Sequence, residues 1–121
     1  DDVCEQTTRY LRSKVKGIEP QLFPINLVLR EGLTNAVRHG NRGDPEKIVR
    51  FLLTLVNKAS IKLVIEDQGE GFDWRKHQNK ILHEDEDHGR GILIMSTYFN
   101  HYSYNDKGNI LTLEKDISSH V

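Results

Sequence analysis

Two stretches of alternating apolar and polar residues, Lys47 to Asn57 and Ile61 to Glu66, are separated by only Lys58, Ala59 and Ser60. No other feature of the chain restricts its fold as much. In the first stretch Val49, Phe51, Leu53 and Leu55 alternate with Arg50, Leu52, Thr54 and Val56, the period of two expected of a strand. So short a connector permits only an antiparallel return, because a parallel one needs a crossover of about a dozen residues. A doubly wound parallel sheet is therefore excluded for this part of the chain.

The remaining elements are read around that hairpin. Residues 4–16 have helical composition, with Leu11 and Val15 one turn apart, and Gly17-Ile18-Glu19-Pro20 breaks the pattern. From Leu22 the apolar positions Leu22, Ile25, Leu29, Leu33 and Ala36 recur at helical spacing until the turn residues of Gly40 to Pro45. Residues 72–88 are polar and aperiodic, a loop of a length that usually has a functional role. A third helix is expected from Gly91, with Ile92, Met95, Ser96 and Phe99 on one side. A second hairpin follows, His101 to Tyr104 and Ile110 to Lys115 around Asn105-Asp106-Lys107-Gly108. This order predicts an α+β fold: a two-layer sandwich whose mixed, mostly antiparallel sheet carries about three helices on one face.

The chain has 121 residues, 17 Lys+Arg against 18 Asp+Glu and a formal charge of -1. One domain over residues 1–121 is expected, burying roughly two-thirds of the surface of its unfolded chain without a disulfide or structural metal. The near-zero charge argues against direct nucleic-acid binding, where affinity comes from neutralised phosphates. Cys4 has no partner cysteine. There is no charged-then-apolar leader, which makes the cytoplasm the expected location. The longest uninterrupted apolar run, Ile92 to Met95, is far short of the ~20 residues that cross a bilayer. Because the first residue is Asp1 rather than methionine, the chain is expected to be a segment of a longer polypeptide.

Three local constellations could carry chemistry. On the second helix Glu31 and Asn35 differ by about 40° around the axis, so a carboxylate and an amide project together, away from Leu29, Leu33 and Ala36. Such a pair offers a proton acceptor beside a hard oxygen ligand, as a magnesium-bound phosphate requires, although an ordinary solvated face has the same composition. Asp67-Gln68-Gly69-Glu70-Gly71-Phe72 ends the second strand. There an aspartate can accept from an exocyclic amine, and glycines let a flat ring approach backbone; a plain turn would use the same residues. Gly89-Arg90-Gly91 opens the third helix, where free N–H groups favour an anion and where a flexible hinge is the competing reading. The P-loop and dinucleotide fingerprints are absent. His83 and His88, flanking the acidic run Glu84 to Asp87, lack the spacing of a zinc-ligand pair. Phe72 and Trp74 read as an anchor of the loop, and Tyr98, Tyr102 and Tyr104 as strand and helix packing.

Taken in order, Glu-x3-Asn-Ala-x2-His-Gly-Asn (Glu31 to Asn41), Asp-x-Gly-x-Gly-Phe (Asp67 to Phe72) and Gly-x-Gly-Ile-x-x-Met (Gly89 to Met95) resemble the GHKL ATP-binding superfamily. Within it the chain is most similar to the bacterial anti-sigma-factor serine/threonine kinases, through its small size, His39-Gly40-Asn41 and the Gly108-Asn109 turn. The resemblance implies ATP and Mg²⁺ as cofactors, with Asn35 on the metal, Asp67 on the adenine amine and Gly69, Gly71, Gly89 and Gly91 lining the pocket. Residues 72–88 become a lid over the nucleotide, and Glu31 becomes the general base for a serine or threonine hydroxyl. Arg90 stands as counter-charge to the γ-phosphate or as an exposed lid residue. His39 stands as a pocket residue or as the end of its helix.

The implied partners are an antagonist protein that accepts the phosphoryl group and a sigma factor that is held. Kinases of this type often form homodimers, but no dimer face is legible in the sequence. Two alternatives accompany this reading: a non-catalytic ATP-dependent binding switch, and the ATP-binding domain of a larger sensor histidine kinase. The acidic run Glu84 to Asp87 departs from expectation, since it would repel ATP unless it faces solvent or a cation intervenes.

Overall fold

The computed structural model describes residues 2–57, 59–70 and 94–117. Helix α1 (Asp2–Lys14) leads into α2 (Glu19–Asn35), which continues as a π turn over Ala36–Gly40. Four strands follow: β1 (Arg50–Val56), β2 (Ser60–Glu66), β3 (His101–Tyr104) and β4 (Ile110–Asp116), with residues 94–98 helical before β3. The expected α+β sandwich is what forms.

The sheet order is β1-β2-β4-β3, and every pairing among these strands is antiparallel. The first hairpin closes with Val56 opposite Ser60, as the short connector requires. The last strand then inserts between β2 and β3, with Glu66 opposite Ile110 and Tyr104 opposite Leu111. The sheet is thus two local hairpins joined by one long-range pairing.

One sheet face is apolar. Ile61, Leu63, Ile65, Leu111 and Leu113 are buried there against Leu11, Ile18, Leu22, Ile25, Val28 and Leu29 of the helical layer, with Met95 and Phe99 beside them. Alternate residues Lys62 and Glu114 are exposed on the other face. The close approach of α2 depends on Gly32, where an added Cβ would lie 2.7 Å from Ile65 Cδ1. Leu113 is fully buried, and Leu113→Ala is expected to destabilise the fold by about 2–5 kcal/mol, read as a lower denaturant midpoint at unchanged slope.

Some boundaries differ from the sequence reading. The break expected at residues 17–20 ends earlier, because Glu19 and Pro20 already form the first turn of α2, where a missing N–H costs nothing. Pro24 lies within the helix and removes the bond to the Pro20 carbonyl; Pro20 is exposed, so water can serve it. β1 begins at Arg50 rather than Lys47, because the N–H and carbonyl of Ile48 are taken by the side chains of Gln68 and Asn41. Ser96, expected on the buried side of the third helix, is exposed, whereas Met95 and Phe99, four residues apart, face the core. Arg12 joins α1 to α2 by a two-pronged contact with Glu19 at 2.6 and 3.1 Å, an exposed pair of small energetic consequence.

Candidate functional site

The helix carrying Glu31 and Asn35 does not end in an ordinary cap. Its last turn widens, so that the Asn41 N–H donates to the Ala36 carbonyl at 2.8 Å and the Gly43 N–H to Val37 at 2.9 Å. Arg42 and Gly43 then take positive φ angles of 56° and 71°, which turns the chain out of the helix. The widened turn brings residues 39–41 against the loop that leaves β2.

At that junction backbone meets backbone. A Cβ on Gly69 would fall on the carbonyl oxygen of Gly40, and a Cβ on Gly40 would fall on the Asp67 carboxylate. Asp67 is buried, and its Oδ1 accepts from the Gly69 N–H at 2.8 Å. Its backbone extends the β2–β4 ladder by one bond, Asp67 N–H to Asn109 carbonyl at 3.0 Å, and Asn109 Nδ2 donates back to the Asp67 carbonyl at 3.3 Å. The β3–β4 turn is fixed in its own right, since Asn105 Oδ1 accepts from the N–H groups of Gly108, Asn109 and Ile110 at 2.9–3.0 Å.

A narrow cleft lies between these parts. Gly32, Asn35, Ala36, His39 and Gly40 line its helical side; Ile65, Asp67, Tyr104, Gly108, Asn109 and Leu111 line the sheet side. Three residues singled out from the sequence, Asn35, His39 and Asp67, therefore share one cleft, and Gly69 packs beside it. Glu31 sits one turn before Asn35 on α2 and does not line the cleft. Gly71, Gly89, Arg90, Gly91, the loop 72–88 and His83 and His88 lie outside the described residues. Among the described residues no group of three His, Cys, Asp or Glu is gathered for a metal.

Two lining residues escape sequence reasoning. Tyr104, which reads as strand packing, also faces the cleft, and Asn109 reads only as a feature of its turn. The signal available for both is the Gly108-Asn109 pair at the mouth of the final strand.

Burial raises the Asp67 carboxyl above the usual carboxylate range; the Gly69 N–H opposes this, the Glu66 charge adds to it, and Lys107 and Lys47 oppose it. Burial also pushes the Tyr104 phenol up, reinforced by Tyr102 and Asp67, so it remains a protonated donor. The cleft thus combines a buried acceptor that has room for further donors, an apolar wall of Ile65 and Leu111, glycine backbones and an amide at the helix end. A flat ring with an exocyclic amine, joined to an anionic tail, fits that set of groups.

Residues 2–115 match the family described as histidine kinase-like ATPase domain. The chain belongs to that family. Relatives called anti-sigma F factor include those of Bacillus cytotoxicus, 34% identical over 64% of this chain, and Clostridium perfringens, 27% identical over 82%. A third, from Anoxybacillus flavithermus, is 29% identical over 93%. The chain spans 56%, 75% and 86% of the length of those three proteins, respectively. Among solved structures, the blue-light activated histidine kinase of Erythrobacter litoralis EL346 superimposes with a TM-score of 0.57 at 17% identity. That match covers 82% of this chain and 31% of the kinase, and it is a likeness of fold.

Membership of the family makes the Gly40–Gly69 contact a sharp test of the cleft. Gly69→Ala is expected to force the two backbones apart, destabilise the fold by about 1–3 kcal/mol and lower nucleotide affinity at least tenfold. Gly43→Ala is the control: its φ is 71° but nothing lies within 4 Å of the added Cβ, so it strains the turn and leaves nucleotide affinity unchanged. Calorimetric titration and thermal unfolding of both variants make the comparison.

Proposed function

We propose that the chain is a Mg-ATP-dependent serine/threonine protein kinase of the anti-sigma-factor type, which phosphorylates a small antagonist protein and holds a sigma factor. The observation carrying this reading is the meeting of Asn35 and Asp67 in one cleft, in a chain whose family is the histidine kinase-like ATPase domain. The relatives called anti-sigma F factor support the choice of subgroup.

In this reading Asp67 accepts from the adenine amine, and Ile65 and Leu111 flank the ring. Asn35 supplies an amide oxygen to Mg²⁺, which neutralises charge on the phosphates when bound. Gly69, Gly71, Gly89 and Gly91 complete the pocket, His39 borders it, and Arg90 faces the γ-phosphate. Glu31 takes the proton of the acceptor hydroxyl as its oxygen bonds to the γ-phosphorus and the bond to the β,γ-bridging oxygen breaks, releasing ADP. Residues 1–121 act as one domain, residues 72–88 as its lid, in the cytoplasm. No helix among the described residues is long and apolar enough to cross a membrane.

The test is incubation of the protein with Mg²⁺, γ-labelled ATP and a serine-bearing antagonist. Acid-stable label on the antagonist is the expected result. Acid-labile label on a histidine would instead indicate a sensor kinase domain, and ATP binding without any transfer would indicate a switch.

A further inference from the structure

We infer that Asn41 is a positioning residue, whose side chain sets the Asp67 loop against the end of α2 and thereby fixes selectivity for the amine-bearing base; this rests on the nucleotide reading of the cleft. Asn41 is 2% exposed, buried deeper than Asp67 itself. Its amide is used in both directions: Oδ1 accepts from the Gln68 N–H at 2.7 Å, and Nδ2 donates to the Ile48 carbonyl at 3.1 Å. Gln68 closes the ring, since its Oε1 accepts from the Ile48 N–H at 3.0 Å. The end of the π turn and the approach to β1, seven residues apart, are thus held with the exit of β2, 20 residues beyond Ile48, in a single hydrogen-bonded cycle.

Gln68 is bonded directly to Asp67, so movement of its backbone moves the carboxylate. At the same junction the Gly40 and Gly69 backbones meet and Gly40 abuts the Asp67 carboxylate, contacts that leave no room for a side chain between the two segments. Asn41 adds a directional bond that holds the exit of β2 in place. A charge-assisted hydrogen bond to an amine requires a donor–acceptor distance of about 2.7–2.9 Å, so a shift of a few tenths of an ångström in the loop weakens it. Only a side chain with both a donor and an acceptor of this length satisfies Ile48 and Gln68 together; an aspartate lacks the donor and a leucine lacks both.

The measurement is the ratio of ATP to ITP affinity, by calorimetry with Mg²⁺. Inosine carries a 6-oxo acceptor where adenosine carries an amine, so it opposes the Asp67 carboxylate rather than donating to it. The wild type is expected to prefer ATP at least tenfold. Asn41→Ala is expected to lower that preference at least fivefold with ITP affinity little changed, whereas the core variant Leu113→Ala lowers stability and keeps the ratio. Gln68→Ala, at an exposed side chain, loosens the same cycle at its Ile48 corner and is expected to lower the ratio two- to threefold even if Asn41→Ala does not fold. A wild type without preference would overturn the adenine role of Asp67 and this inference with it. A preference unchanged in the folded variants overturns the inference alone.

Discussion

Glu31→Gln is expected to reduce phosphoryl transfer by about 10²–10⁴-fold while leaving Mg-ATP affinity within a factor of two. The substitution keeps the shape and polarity of the side chain and removes its basicity. Because Glu31 stands one turn before Asn35 and does not line the cleft, its loss leaves the groups that contact nucleotide in place. Single-turnover transfer to the antagonist gives the rate, and calorimetry gives the affinity. Parallel loss of both would mean that Glu31 supports binding and that another group takes the proton.

The second large effect concerns Asp67. Asp67→Ala removes a charged acceptor that nothing else in the cleft replaces, and is expected to weaken ATP binding about 10–100-fold. The same residue gives a pH signature. Burial raises its pKa, so as pH falls from neutrality the carboxyl takes up a proton sooner than an ordinary aspartate and loses an acceptor position. Adenosine, which has no phosphates to titrate, is expected to lose affinity with falling pH through that window. Stability has the opposite slope. Between the ordinary and the raised value the folded state holds more protons than the unfolded one, so the contribution of Asp67 to stability falls as pH rises. Asp67→Asn removes the Asp67 contribution to both slopes, which denaturant titrations and calorimetry of wild type and variant across the acid range would show as a difference.

Much of this arrangement is legible in the order of the amino acids. The period of α2 places Glu31 and Asn35 together, and the three-residue connector fixes the first hairpin, because both are local consequences of backbone geometry. The insertion of β4 between β2 and β3 is not legible, since no local pattern distinguishes which earlier strand a terminal strand will join. Asn41 is hidden for a related reason. The sequence marks it as the last residue of the first motif but gives it no partner, and only the folded chain surrounds it with the Ile48 carbonyl and the Gln68 N–H. Pro20 shows the reverse error, a residue that looks like a break but suits the first turn of a helix. Ser96 reads onto the wrong side because a serine next to an apolar pair fits a helical stripe loosely.

Asp67 and Asn109, joined by hydrogen bonds across the ladder, are 42 residues apart in the chain. During synthesis the recess they border is missing until the final hairpin has emerged and closed against β2, the contact with the largest loop-closure penalty in the sheet. Nucleotide at 100 times its dissociation constant would then add about 2.7 kcal/mol to a chain in which this recess has closed and nothing to one cut before Asn109. Limited proteolysis with and without Mg-ATP is expected to show that protection when the recess is closed and none in a chain cut before Asn109.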